Sequence, residues 1–158
     1  MTEPFAPSGW EPPPPLRTAS FRLAPLGPEH HDSDFLAWGS SIEHIRATPG
    51  FRPGGREDPW PYPMAPEENV ADLERHHREF VAREAFAYTV LAPDADEVIG
   101  CVYMYPDRTG SAAAEVRCWV TASRAELDGE LAEAVRDWIA AEFPWTSVRY
   151  PGRFGHPD

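Results

Sequence analysis

Apolar and polar positions alternate from 20 to 26, where Phe21 and Leu23 share one face with Arg22 between them, the period of a half-buried strand. Pro28 then opens a helical stretch whose apolar positions Phe35, Leu36 and Trp38 continue to Ile42 and Ile45. Gly39, Ser40 and Ser41 predict a break into two short pieces, and Pro49 and Gly50 end the stretch. A third helix is predicted over about 66–84. Pro66 suits its first turn, Glu67 and Glu68 favour the positive end of its dipole, and Val70, Leu73, His77, Phe80 and Val81 fall on one side. Three strands at 86–91, 98–105 and 113–120, rich in β-branched and aromatic residues, predict an antiparallel meander. Leu127, Leu131, Ala134, Val135 and Trp138 then recur at helical spacing over 124–143, and 147–150 reads as a last strand.

Two stretches break the periodicity. Residues 1–17 carry Pro4, Pro7 and the run Pro12 to Pro15, which favours an extended arm or linker ahead of one domain over 18–158. Residues 51–64 hold Pro53, Gly54, Gly55, Pro59, Pro61 and Pro63, predicting a long, partly rigid loop that offers Trp60 and Tyr62 as aromatic surface. A chain of 158 residues with 42% apolar content can close one core without disulfides. Its net charge of −12, from 14 Lys and Arg against 26 Asp and Glu, argues against nucleic acid and for a basic or neutral ligand. Two cysteines, no apolar run of membrane-spanning length and no apolar segment after Met1 lead us to expect a cytoplasmic, reduced protein.

A hairpin turning about Thr109-Gly110 would pair Gly100 with Trp119, Cys101 with Cys118, Tyr103 with Val116 and Met104 with Glu115. The strand then runs into a helix through Glu115-Val116-Arg117-Cys118-Trp119-Val120-Thr121-Ala122-Ser123-Arg124. This order, β, helical pair, α, three β, α, β over about 18–150, resembles the core of the GNAT superfamily of acyl-CoA-dependent N-acetyltransferases. The resemblance implies an α/β fold of α+β type: a mixed, mostly antiparallel sheet of about five strands with helices on both faces, shortened at the C-terminus. The helical pair and helix 66–84 are expected on one face and helix 124–143 on the other.

The resemblance also implies acetyl-CoA as cosubstrate, held by the backbone of Cys118, Trp119 and Val120 and by the junction residues Arg124 and Gly129. Where the family has glycines, this chain reads Arg124-Ala125-Glu126-Leu127-Asp128-Gly129. Ser123 and Glu126 have the spacing of a capping box, and Glu126, Asp128 and Glu130 bring three carboxylates to the pyrophosphate position, so weak CoA binding is expected. Family members continue beyond the fifth strand to wall the acceptor side. Here the domain either lacks that wall, borrows it from a second subunit pairing as a homodimer at the edge near Val148, or covers the opening with its own arm and 51–64 loop.

Transfer to an amine needs a base and an acid. Glu115 is the candidate base, directly or through water, and Tyr103, or Tyr105, the acid. Arg117 on the same strand face, His44 and Arg46 on the helical pair, and Trp60 are candidate substrate-binding residues. Cys101 and Cys118 read as buried thiols, and no metal site is expected: the pairs His30-His31 and His76-His77 diverge on a helix and no zinc-like spacing occurs. Three functions stay open: an N-acetyltransferase acting on a small amine, a GNAT-like domain that has lost CoA and binds a small ligand or runs other chemistry in the cleft, and a partner-binding module.

Overall fold

The computed structural model describes residues 4–53 and 60–158. Of the predicted loop residues, Gly54, Gly55 and Pro59 lie outside the described residues. The sheet has five strands in chain order: β1 (Arg22–Pro25), β2 (Phe86–Leu91), β3 (Val98–Pro106), β4 (Ala114–Val120) and β5 (Val148–Arg149). All pairings are antiparallel except β4 with β5, which run parallel for two residue pairs. The predicted break falls where expected: α1 (His31–Gly39), preceded by a 3-10 turn at Pro28–His30, is followed by α2 (Ile42–Ala47). The remaining helices are α3 (Pro66–Val81) and α4 (Asp128–Glu142). Among the described residues no helix is long and apolar enough to cross a membrane.

Two apolar layers cover the sheet. On one face Leu131, Val135, Trp138 and Ile139 of α4 pack against Phe86, Tyr88, Val90, Val102, Val116 and Cys118. On the other, Ala37 and Trp38 of α1, Ile45 of α2 and Leu73 of α3 pack against Ala87, Leu91, Cys101 and Trp119. Every residue of β2 is therefore buried, since both of its faces are covered. A bulge between Val90 and Leu91 shifts the β2–β3 register, which puts Val98 and Cys101 on one face and Ile99 and Val102 on the other. Gly100 lies so close to the Trp119 carbonyl that a Cβ would collide with it.

Two expectations need correction. The β3–β4 hairpin is offset by one residue: Cys101 pairs with Trp119, Val102 with Cys118, Tyr103 with Arg117 and Met104 with Val116. Its centre of symmetry is Gly110, which has φ +74, rather than the Thr109-Gly110 bond. The two cysteines therefore occupy opposite faces, each buried in its own layer. The apolar stripe expected on α1 and α3 is also rotated, with Leu36 73% and Val81 63% exposed while Asn69 and His76 are buried.

The proline-rich arm packs against the core through partly buried aromatic rings. Phe5 stacks on Trp145 at 4.5 Å, Trp10 meets Phe143 at 5.3 Å and Phe86 at 5.7 Å, and the Trp145 indole N–H donates to the Phe5 carbonyl at 2.7 Å. Truncating a packed aromatic ring loses its transfer free energy and leaves a void. Phe5→Ala or Trp10→Ala should each destabilise the protein by about 2–3 kcal/mol in urea unfolding, whereas a dangling linker would give no change.

Candidate functional site

A pocket of about 480 Å³ lies where α1 and α3 face β3 and β4. Its wall is aromatic: Trp38 from α1, Phe51, Trp60 and Tyr62 from the 51–64 loop, His76 from α3, and Tyr103 and Tyr105 from β3. Trp60 turns inward from its loop and lies against four rings, with centroids 5.9 Å from Trp38, 6.0 Å from Phe51, 6.0 Å from Tyr103 and 6.1 Å from Trp119. The aromatic surface expected on this loop at Trp60 is thus an interior wall.

Polar groups are set into that wall at fixed points. Asn69 of α3 accepts the Trp38 indole N–H at 3.1 Å and donates to the Asp34 carboxylate at 3.2 Å and to His31 Nδ1 at 3.1 Å, joining α1 to α3. Asp34 is 4% exposed, and burial raises its carboxyl from the usual 3.8 to about 6, although the Asn69 hydrogen bond pulls the other way. His76 shares a hydrogen bond of 3.3 Å with the Tyr105 hydroxyl, and burial, helped by Arg75, lowers it from 6.5 to about 4. It is neutral at pH 7.

The proposed pair Glu115 and Tyr103 both line this pocket, as do Trp60 and Arg117. Glu115 is buried; Arg149 donates to one carboxylate oxygen, while Arg117 ion-pairs with the other and Arg108 lies 4.0 Å from it. Tyr103 accepts the Trp119 indole N–H at 3.1 Å, and burial holds its hydroxyl far above the ordinary tyrosine value. Arg117 also donates to the Gly50 carbonyl at 2.8 Å. His44 and Arg46 are not among the lining residues. Arg46 donates to the Pro61 carbonyl at 3.0 Å and pairs with Glu43 at 3.6 Å.

Asp34, Asn69 and His76 were missed in the sequence because the helical faces were chosen by apolarity. The spacing 69, 73, 76, 80 is as helical as 70, 73, 77, 81, and a polar residue at two of its points is the signal of a pocket-lining face.

The donor-side residues lie at the end of β4. The expected capping box is not formed: residues Ala122–Leu127 make a 3-10 turn in which Arg124 is off-helical, so Ser123 sits inside the turn and not at a helix start. Ser123 is instead 3.2 Å from the Thr121 hydroxyl, and among the described residues no side chain caps α4. The Ala122 N–H donates to Ser41 at 2.9 Å. Arg124 pairs with Glu97 at 3.7 Å, and Gly129 stands in the first turn of α4 with open space around it. Arg153, from beyond β5, donates to both Asp128 oxygens at 2.8 Å and to the Cys118 carbonyl at 3.3 Å.

No protein-family model and no curated protein sequence matches the chain. Solved structures do match. A ribosomal-protein-S5-alanine acetyltransferase from Vibrio fischeri superposes with TM-score 0.61 at 12% identity, covering 82% of this chain and 68% of that one. A protein from Bordetella pertussis described as a GnaT-family acetyltransferase gives 0.55 at 19% identity, covering 82% and 72%. The microcin C7 self-immunity acetyltransferase MccE, solved with acetyl-CoA and AMP, gives 0.56 at 11%, covering 84% and 68%. The chain has the GNAT fold.

In this GNAT fold the implied acyl-CoA does not fit the junction in the conformation described. The Cys118 carbonyl and the Asp128 carboxylate are engaged by Arg153, and the Ala122 amide by Ser41. Glu126 and Glu130 flank the start of α4, where a pyrophosphate needs donors.

Two shifted groups of the pocket, His76 and Asp34, act on stability in opposite directions. Folded His76 binds fewer protons than the unfolded chain between about pH 4 and 6.5, so its share of stability rises with pH across that window. Folded Asp34 binds more between about 3.8 and 6, so its share falls with rising pH. Each amounts to about 3 kcal/mol over its window. Urea unfolding at pH 4.5 and 7 should show that His76→Gln favours the lower pH relative to wild type, whereas Asp34→Asn favours the higher.

Proposed function

We propose that the protein is an N-acyltransferase that takes a small amine, preferably one bearing an aromatic or bulky apolar group, in the pocket between α1, α3 and β3–β4. The observation that supports this most directly is Asp34 at the edge of an aromatic wall. Of the lining carboxylates, Asp72 pairs with Arg75 and Glu115 with Arg149 and Arg117, while Asp34 is held by the neutral amide of Asn69. An ammonium is attracted to the faces of Trp and Tyr rings and to a carboxylate, and His76, being neutral, does not repel it.

An amine attacks an acyl carbon only after losing its proton. In this reading Asp34, raised to about 6, is placed to accept a proton near neutral pH, whereas the Glu115 carboxylate is already engaged by Arg149 and Arg117. Glu115 then orients the amine, Tyr103 shapes the pocket, and Arg117 and Trp60 contact the acceptor. The fold supports acyl transfer as the reaction class. The amine acceptor rests on the pocket.

A second reading, a GNAT-fold domain that binds the amine without transferring an acyl group, is favoured by one observation, the engagement of Cys118 and Asp128 by Arg153.

A thermal-shift and calorimetric panel of aromatic amines, aliphatic amines and N-terminal peptides, followed by assays with acetyl-CoA, tests the proposal. Binding of an aromatic amine that weakens at least about tenfold in Asp34→Asn and in Trp60→Ala is expected. Acetylated product supports transferase, and binding without product supports the second reading. Amine affinity unchanged in both variants would overturn the pocket assignment.

A further inference from the structure

Beyond β5 the chain does not leave the domain. Residues 150–158 fold back on themselves, with the Tyr150 N–H donating to His156 Nδ1 at 2.7 Å and the Gly152 N–H to the Pro157 carbonyl at 3.1 Å. One end is tied by Arg153 to Asp128, at the start of α4, and to the Cys118 carbonyl of β4. The other is tied by the Asp158 carboxylate to the Gly50 N–H at 3.0 Å and to Arg52 at 2.8 Å. Between them Phe154 packs under the Arg136 guanidinium, 4.4 Å from the ring centroid.

The place this segment takes has a chemistry of its own. Among the described residues β4 and β5 pair only at Ala114–Val148 and Glu115–Arg149, and beyond Glu115 no strand lies beside the outer edge of β4. A free strand edge leading to the start of a 15-residue helix suits an extended ligand with amide groups along its length and an anionic group at its end. Arg153 fills that position with a side chain only 10% exposed, and its Nε–H is buried without a hydrogen-bond partner among the described residues. The closed arrangement is thus incompletely satisfied, since a buried unpaired donor is costly.

We propose that residues 150–158 are a latch over the acyl-donor cleft, and that a donor of acyl-CoA type binds only after Arg153 releases Asp128 and the Cys118 carbonyl. This rests on reading the protein as an acyltransferase. The latch also reaches the amine side, because Gly50, which holds Asp158 through its N–H, accepts the Arg117 guanidinium through its carbonyl, and Arg117 pairs with Glu115. Opening the donor cleft would therefore loosen one support of the amine pocket.

The test titrates acetyl-CoA into the wild type, Asp128→Asn and the double variant Asp128→Asn with Arg153→Ala, with melting temperature and an amine-induced thermal shift as controls of folding. Wild type should bind weakly, with Kd above roughly 100 μM. Asp128→Asn should bind at least about fivefold tighter, since it removes both the anchor and a negative charge, and the double variant as tightly or tighter. Hydrogen exchange at Tyr150 and Gly152 should speed up when acetyl-CoA is added. A double variant binding more weakly than Asp128→Asn would overturn the latch, because Arg153 would then be a donor ligand. Equal affinity in all three proteins would also overturn it. Failure of every variant to bind acetyl-CoA while the amine shift persists would overturn the latch and the acyl-transfer reading but leave the amine pocket standing; loss of the amine shift in folded wild type would instead remove the acceptor reading.

Discussion

The turn that joins β3 to β4 sets which side chains face the pocket. Asp107 accepts backbone N–H groups from Thr109, Ser111 and Ala112 through its carboxylate, closing a loop centred on Gly110 in the left-handed region. Side chains alternate across a strand, so a shift of one residue would send every β4 side chain to the opposite face. With the observed register, Tyr103, Glu115, Arg117 and Trp119 serve the α1 and α3 side, while Val116 and Cys118 serve α4. Asp107 also holds the Arg149 guanidinium at 3.0–3.1 Å, the same group that grips Glu115. One carboxylate thus couples the turn, the fifth strand and the buried glutamate.

Given that register, the seam between α1 and α3 is polar. Buried polar groups are tolerated when their hydrogen bonds are made, and Asn69 makes three, to Trp38, Asp34 and His31. The cost of burying Asp34 shows in its raised carboxyl and is offset in part by the Asn69 hydrogen bond. The helix is rolled to present Asn69, Leu73 and His76, and Val81 is left in solvent.

The two sides of β4 therefore differ in character. Toward α1 and α3 there is an open aromatic pocket with a carboxylate tuned near neutral pH, and toward α4 there is a strand edge covered by residues from beyond β5. Gly50 touches both, accepting Arg117 and donating to Asp158. The arm at the other end of the sheet fills the space between β2 and α4 with Phe5 and Trp10, so residues with little intrinsic structure contribute core area at each end of the chain.

The element order, the helix break at Gly39 to Ser41, the sheet composition and the placement of helices on its two faces were legible in the sequence, because period, proline and glycine act locally. So was the acidic, glycine-poor junction after β4. What only the tertiary structure decided was relative position. The hairpin register turned on the number of residues in a loop whose closure depends on Asp107, and the face of α3 on hydrogen bonds to a helix 31 to 38 residues away in the chain. Glu115, Tyr103, Arg117 and Trp60 were candidates from strand position and ring size, and the fold brings them to the lining of one pocket. The burial of Asp34, Asn69, His76 and Arg153 was decided by the fold, since a polar residue is buried by its partners, and partners distant in sequence meet only when the chain has folded.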